Sequence, residues 1–141
     1  MNGDSPIYVL DSFAVLALLE GENSATRVQA ILETAEQYTA RVYLSLINLG
    51  EILYITERER SLALAQKTLV TIEQFPLEIL PATRERVLAA AHLKAQFPIS
   101  YADAFATAAA QEFEGTLVTG DPEFARVEKL IRIEWLPQKR S

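Results

Sequence analysis

The chain has 141 residues, half of them hydrophobic and 23% charged, with no cysteine and a net charge of −6. This size and apolar content suit one compact domain, 1–141, with its own core. The lack of cysteine excludes disulfides, thiolate metal sites and a cysteine nucleophile, and the acidic balance argues against a simple duplex-binding module. An enzyme acting on nucleic acid stays open, because setting four carboxylates around a cation would bring the rest of the chain much closer to neutral.

The segment Met1 to Pro6 carries Asp4 but no Lys or Arg, so it does not read as the n-region of a signal peptide. Ile7-Tyr8-Val9-Leu10 reads as a buried strand bounded by Pro6 and Asp11. An apolar helix over about Phe13–Glu20 ends near Gly21, and its run Phe13 to Leu19 is too short to span a bilayer. The expected setting is therefore the cytoplasm, with no membrane partner. Asn23-Ser24 can cap a helix from Ala25 to about Gln37, and Ala40 to Leu44 reads as a second strand. Ser45 then caps a helix to about Arg60, and Ser61 starts another that ends before Pro76.

Leu77 to Leu80 alternates as a strand closed by Pro81, and Thr83 opens a helix to about Gln96, broken by Pro98. Ser100 opens an Ala-rich helix to about Phe113, stopped near Gly115. Thr116 to Thr119 is a strand and Gly120-Asp121-Pro122 a turn; a short helix and a last strand, Ile131 to Trp135, follow. Alternation of strands and helices predicts a parallel sheet covered on both faces. Ligands in such folds bind beyond the carboxyl ends of the strands, which is where Asp11 and Asp121 fall.

Four acids stand out, each with a structural alternative. Asp11 and Asp121 are natural helix N-caps, the latter followed by Pro122 at the first helical position. Asp103 lies three residues after Ser100, as in a capping box, yet Ala102, Ala106 and Ala110 leave room around it. Glu51 shares a helix face with Ile47 and Ile55, which sets a carboxylate in an apolar surface. It needs a partner there: a cation, an arginine or a proton. Mg²⁺ and Mn²⁺ take oxygen ligands, and carboxylates drawn from several elements suit them. His92, the one histidine, reads as a plain mid-helix residue, and the basic tail Gln138-Lys139-Arg140-Ser141 as solvated. Arg58 and Arg60 read either as substrate contacts or as partners of Glu57 and Glu59.

Four segments together resemble the PIN domain, and within it the VapC-like toxins of bacterial toxin–antitoxin pairs. They are Tyr8 to Ser12, Leu44 to Glu51, Ile99 to Ala106, and Leu117 to Phe124. The resemblance implies a three-layer α/β/α fold with a central, mainly parallel sheet. It implies a Mg²⁺- or Mn²⁺-dependent RNA endonuclease whose acidic positions are Asp11, Glu51, Asp103 and Asp121. On this reading Asp11 and Asp103 are direct ligands, Glu51 a ligand or water-orienting group, and Asp121 a ligand or its support. Ser12, Asn48 and Thr119 would hydrogen-bond carboxylates or phosphate oxygens. A small antitoxin and a homodimer are the implied partners, with RNA the substrate. One position departs from the pattern: Phe13 stands where relatives often carry a small polar residue. The alternatives are a catalytically silent PIN-like protein that binds RNA or a partner, and a receiver-type phosphotransfer domain.

Overall fold

In the computed structural model, which describes residues 5–137, twelve elements follow one another in the expected alternation. The strands are β1 (Ile7–Leu10), β2 (Arg41–Ser45), β3 (Glu78–Leu80), β4 (Thr116–Thr119) and β5 (Arg132–Trp135). The helices are α1 (Ser12–Leu19), α2 (Ala25–Glu36), α3 (Leu46–Glu59), α4 (Leu62–Glu73), α5 (Arg84–Gln96) and α6 (Tyr101–Glu112). The short helix expected after Asp121 is a 3-10 segment, Pro122–Val127. The expected basic tail and the residues before Ser5 lie outside the described residues. Among the described residues, no helix is long and apolar enough to cross a membrane.

All five strands pair in parallel, in the order β3-β2-β1-β4-β5. The chain steps outward from β1 to β2 and β3, then returns to place β4 on the other side of β1. The strand order thus reverses between β1 and β4. The receiver-type alternative fails here, because that fold places its first strand between the second and the third.

Alternate side chains along the buried strands supply two cores. Val9, Tyr43 and Leu117 face α5 and α6 together with Leu93, Phe105 and Phe124. Leu10, Leu44 and Val118 face the other way, toward Val15, Ile31, Ile52 and Ile72 of α1–α4. The result is three layers, α/β/α. Helix α6 is the deepest: Asp103 through Ala110 are all buried, and five alanines in that stretch let the backbone sit close to the sheet. Alanine also has the highest intrinsic helix propensity.

Four of the start signals read from the sequence hold in detail, whereas Ser24 makes no side-chain cap on α2 and instead donates to the Pro137 carbonyl at 2.8 Å. Ser45, Ser61, Thr83 and Ser100 each accept a hydrogen bond from the backbone N–H three residues on. Gly21, with φ 66°, ends α1 in the left-handed region that glycine tolerates best. The end of α6 differs from expectation. There Glu114 takes the left-handed conformation, φ 50°. Gly115 is needed instead for close approach, since a Cβ on it would lie 2.9 Å from Ile7 Cγ2.

Candidate metal centre

The carboxyl ends of β1 and β4 meet at the reversal of strand order, and the candidate site forms there. Asp11 follows β1 directly. It caps α1, accepting from the Ala14 N–H at 2.9 Å, and is 3% exposed. Its other oxygen accepts from the Thr119 hydroxyl at the end of β4. Thr119, fully buried, in turn accepts from the Asp121 N–H at 3.0 Å. One hydroxyl therefore fixes both acid-bearing turns. Asp121 caps the 3-10 segment by accepting from the Glu123 N–H at 2.9 Å.

From the other side, Ser45 at the end of β2 starts α3, whose first two turns carry Asn48 and Glu51. The Ser12 hydroxyl donates to Glu51 Oε1. The Asn48 amide donates to Ser12 Oγ at 3.4 Å and to the Ala102 carbonyl at 3.3 Å, which ties α1, α3 and α6 together. Glu51 is only half-buried, and its partner is a serine; the buried ion pair with an arginine is not formed. Asp103 sits in the first turn of α6, where its N–H bonds to the Ser100 cap at 3.1 Å.

All four acids line one cleft of about 390 Å³, together with Ser12, Phe13, Leu16, Ile55, Ser100 and Glu123. Asp11 and Asp121 each cap a helix and also face the cleft, so their two readings are compatible; at Asp103 the cap is the Ser100 side chain, and the carboxylate lines the cleft. Glu123 is a fifth carboxylate that sequence reasoning missed. Its signal was its place in the first turn after the Asp121-Pro122 start. It pairs with Arg126, which also donates to the Pro98 carbonyl at 2.7 Å. Asn48 and Thr119 do not line the cleft; they support residues that do.

The electrostatics are those of a strongly anionic site, in which Glu123 is paired with Arg126. Burial pushes the Asp11 carboxyl up to about 7, against the pull of the Thr119 and Ala14 hydrogen bonds, with repulsion from Asp103 and Asp121 adding to it. Burial, with repulsion from Asp121, Glu51 and Glu123, raises Asp103 to about 6. A divalent cation would relieve both effects, and an all-oxygen donor set selects a hard ion. Among the described residues no three acids already stand as a ready ligand set, so binding would draw the carboxylates together. The donor chemistry fits a divalent ion; the cage is not pre-closed.

Two substitutions probe this architecture. Thr119→Val should destabilise the fold by about 1–3 kcal/mol, because it strands the Asp121 N–H and removes the donor to Asp11. It should also weaken ion binding or activity about 10- to 100-fold, the usual cost of losing a ligand's support. Denaturant melts and Mn²⁺ titration measure the two separately, and wild-type values for both would refute the linking role of this hydroxyl. Gly120→Ala tests the turn. A Cβ there would fall 2.4 Å from the Phe13 ring and 3.1 Å from the Leu136 carbonyl oxygen. A loss of about 1–3 kcal/mol is expected from this overpacking. Adding Phe13→Leu should recover part of it in a double-mutant cycle, and strict additivity would count against the contact.

Outside this cleft, a groove of about 590 Å³ runs between α1 and α4, sharing Leu16 and Ile55 with it and containing Arg60 and Lys67. Arg58 lies 3.3 Å from Glu59 and over the Tyr54 ring. His92 is exposed on α5 beside Gln96 and is not a cleft residue.

The PIN domain family model matches residues 8–130. No curated protein matches the chain. Among solved structures, the chain is similar to VapBC2 from Rickettsia felis bound to a DNA fragment from their promoter. The identity is 19%, covering 93% of this chain and 99% of that one, with a TM-score of 0.70. DNA-bound VapBC from Salmonella typhimurium matches at 20% identity over 92% and 97% of the two chains, TM-score 0.68. VapC20 from Mycobacterium tuberculosis, a toxin cleaving the sarcin–ricin loop, matches at 16% identity over 86% and 94%, TM-score 0.65. At these identities the likeness establishes the fold.

Proposed function

We propose, from the premise that this chain belongs to the PIN domain family, that it is a divalent-metal-dependent RNA endonuclease, the toxin of a toxin–antitoxin pair. The observation that carries this is the convergence of Asp11, Glu51, Asp103 and Asp121, from four separate elements, on one cleft at the reversal of strand order. The fold neighbours include toxin–antitoxin complexes and an RNA-cleaving toxin, which supports the substrate class and a small antitoxin as partner. The reading is that of a one-domain cytoplasmic protein that works as a homodimer.

Asp11 and Asp103, the two acids most strongly affected by burial, would hold a Mg²⁺ or Mn²⁺ ion, with Glu51 and Asp121 completing or supporting the set. Such an ion acidifies water for attack on a phosphodiester and offsets the charge of the phosphate. The chain's own part is orientation. Thr119 fixes the Asp11 carboxylate, so that the oxygen it presents to the cleft is set before substrate arrives. Ser12 holds Glu51 by its Oε1, leaving the rest of that carboxylate to accept a proton or a water hydrogen bond. Asn48 locks Ser12 to the backbone of α6 and so keeps Glu51 and Asp103 in register.

The test is to incubate the protein with transfer RNA, ribosomal RNA and short synthetic RNAs in Mn²⁺, Mg²⁺ or EDTA. Cleavage that EDTA abolishes is expected. Cleavage indifferent to EDTA would overturn metal dependence, and a protein that binds a small antitoxin but cleaves none of these RNAs would favour a silent partner-binding role.

A further inference from the structure

The cleft has a second wall of different chemistry. Phe13, Leu16 and Ile55 line it beside the five carboxylates. All three are only partly buried, so apolar surface is left facing an anionic site. The ring of Phe13 has little freedom: it is packed partly on the core behind α1, and its far edge abuts Gly120, whose missing Cβ makes the space. That glycine joins Thr119 to Asp121, so the aromatic ring, two residues beyond Asp11, is seated on the turn that carries another of the acids.

An anionic cleft repels a nucleotide's phosphate until a cation is present, and its carboxylates gain nothing from the flat faces of a base. The apolar wall has the opposite preference. Stacking of bases on aromatic side chains is the general means by which proteins hold unpaired nucleotides. A base within a duplex cannot reach a side wall of this kind without leaving its stack. We infer that Phe13, backed by Leu16 and Ile55, is a nucleobase subsite: it stacks an unpaired base next to the phosphate that the carboxylates act on. The substrate is then RNA whose nucleotide at the cut is single-stranded or flipped out. This rests on the nuclease reading and deepens it.

The test uses the cleavage site mapped on a structured RNA, transferred to a short single-stranded RNA. Three proteins are compared: wild type, Phe13→Leu and Phe13→Tyr, each checked for an unchanged melting profile. Phe13→Leu should lower kcat/KM about 10-fold or more, in keeping with the loss of one base–aromatic stack, while Phe13→Tyr should retain wild-type behaviour. Replacing one base flanking the cut by an abasic ribose should cost the wild type a similar factor and cost Phe13→Leu nothing further. A duplex containing the same bond should be cut far more slowly. A second readout avoids turnover: in an Asp11→Asn background, 2-aminopurine at that flanking position should lose fluorescence on binding, and the loss should vanish when Phe13→Leu is added.

Equal kcat/KM for Phe13→Leu and wild type, or multiplicative effects of the mutation and the abasic site, would overturn the subsite and leave the nuclease intact. Failure of the wild type to cut or bind any RNA would instead overturn the nuclease reading and this inference with it.

Discussion

Asp11→Asn is expected to lower RNA cleavage by at least about 10³-fold while leaving a folded protein. Asparagine keeps the side-chain oxygen that caps α1 at Ala14 and keeps the volume of a site that is 3% exposed. Asn and Asp are about equally good caps, so little helix stability is lost. Removing the charge removes a proposed ion ligand and the repulsion with Asp103 and Asp121. Burial disfavours the ionised form of Asp11. The ion-free mutant should therefore match or exceed the wild type in thermal stability near pH 7.5. Circular dichroism melts in EDTA, beside cleavage assays in Mn²⁺, separate the two effects. Near-wild-type cleavage by the folded mutant would remove Asp11 from the site. A mutant that melts well below wild type would mean that its role is structural.

The second large effect is that of the ion itself. Mn²⁺ at about 100 times its dissociation constant should add roughly 2.7 kcal/mol by mass action. For a chain of this size that is a rise in Tm of about 5–10 °C, reversed by EDTA. The pH dependence has a definite sign. Asp11 and Asp103 are raised to about 7 and about 6 from an ordinary 3.8, so the folded ion-free protein holds protons that the unfolded chain has released. Their contribution to stability is full below about pH 4 and is lost as pH rises through 6 and 7. Protons and the ion compete for the same oxygens, so the Mn²⁺-induced rise should be larger at pH 8 than at pH 5.5. A rise that is equal at both values, or absent, would show that these carboxylates do not bind the ion.

The fold was legible because its signals are local. Runs such as Ile7–Leu10 and Thr116–Thr119 declare buried strands, and Ser45, Ser61, Thr83 and Ser100 mark helix starts through bonds made within three residues. The acids were legible as candidates for the same reason: they occupy positions just past strand ends and in the early turns of helices. What the sequence could not show was their convergence, which depends on β4 returning beside β1. Nor could it show that Ser12 meets Glu51 across 39 positions, or that Thr119 meets Asp11 across 108. Glu123 was missed because an acid in a first helical turn has an ordinary explanation in the helix dipole. Phe13 stood out only as a departure from a pattern; its contact with Gly120 is a matter of packing that no periodicity encodes.

The return of β4 has a consequence for the order in which the molecule is built. Strand β1 can pair with β2 as soon as residue 45 is made, but its other edge waits for residue 116 and beyond. Contacts between segments so distant in sequence form late, since the entropy of closing the loop precedes any gain from pairing. On the ribosome, the half carrying Asp11 and Glu51 can collapse while Asp103 and Asp121 are still being synthesised. A chain interrupted before β4 leaves the second edge of β1 open and lacks Asp121 and Glu123. On the proposed nuclease reading, topology defers cleavage until β4 has emerged and Asp121 can join the other acids.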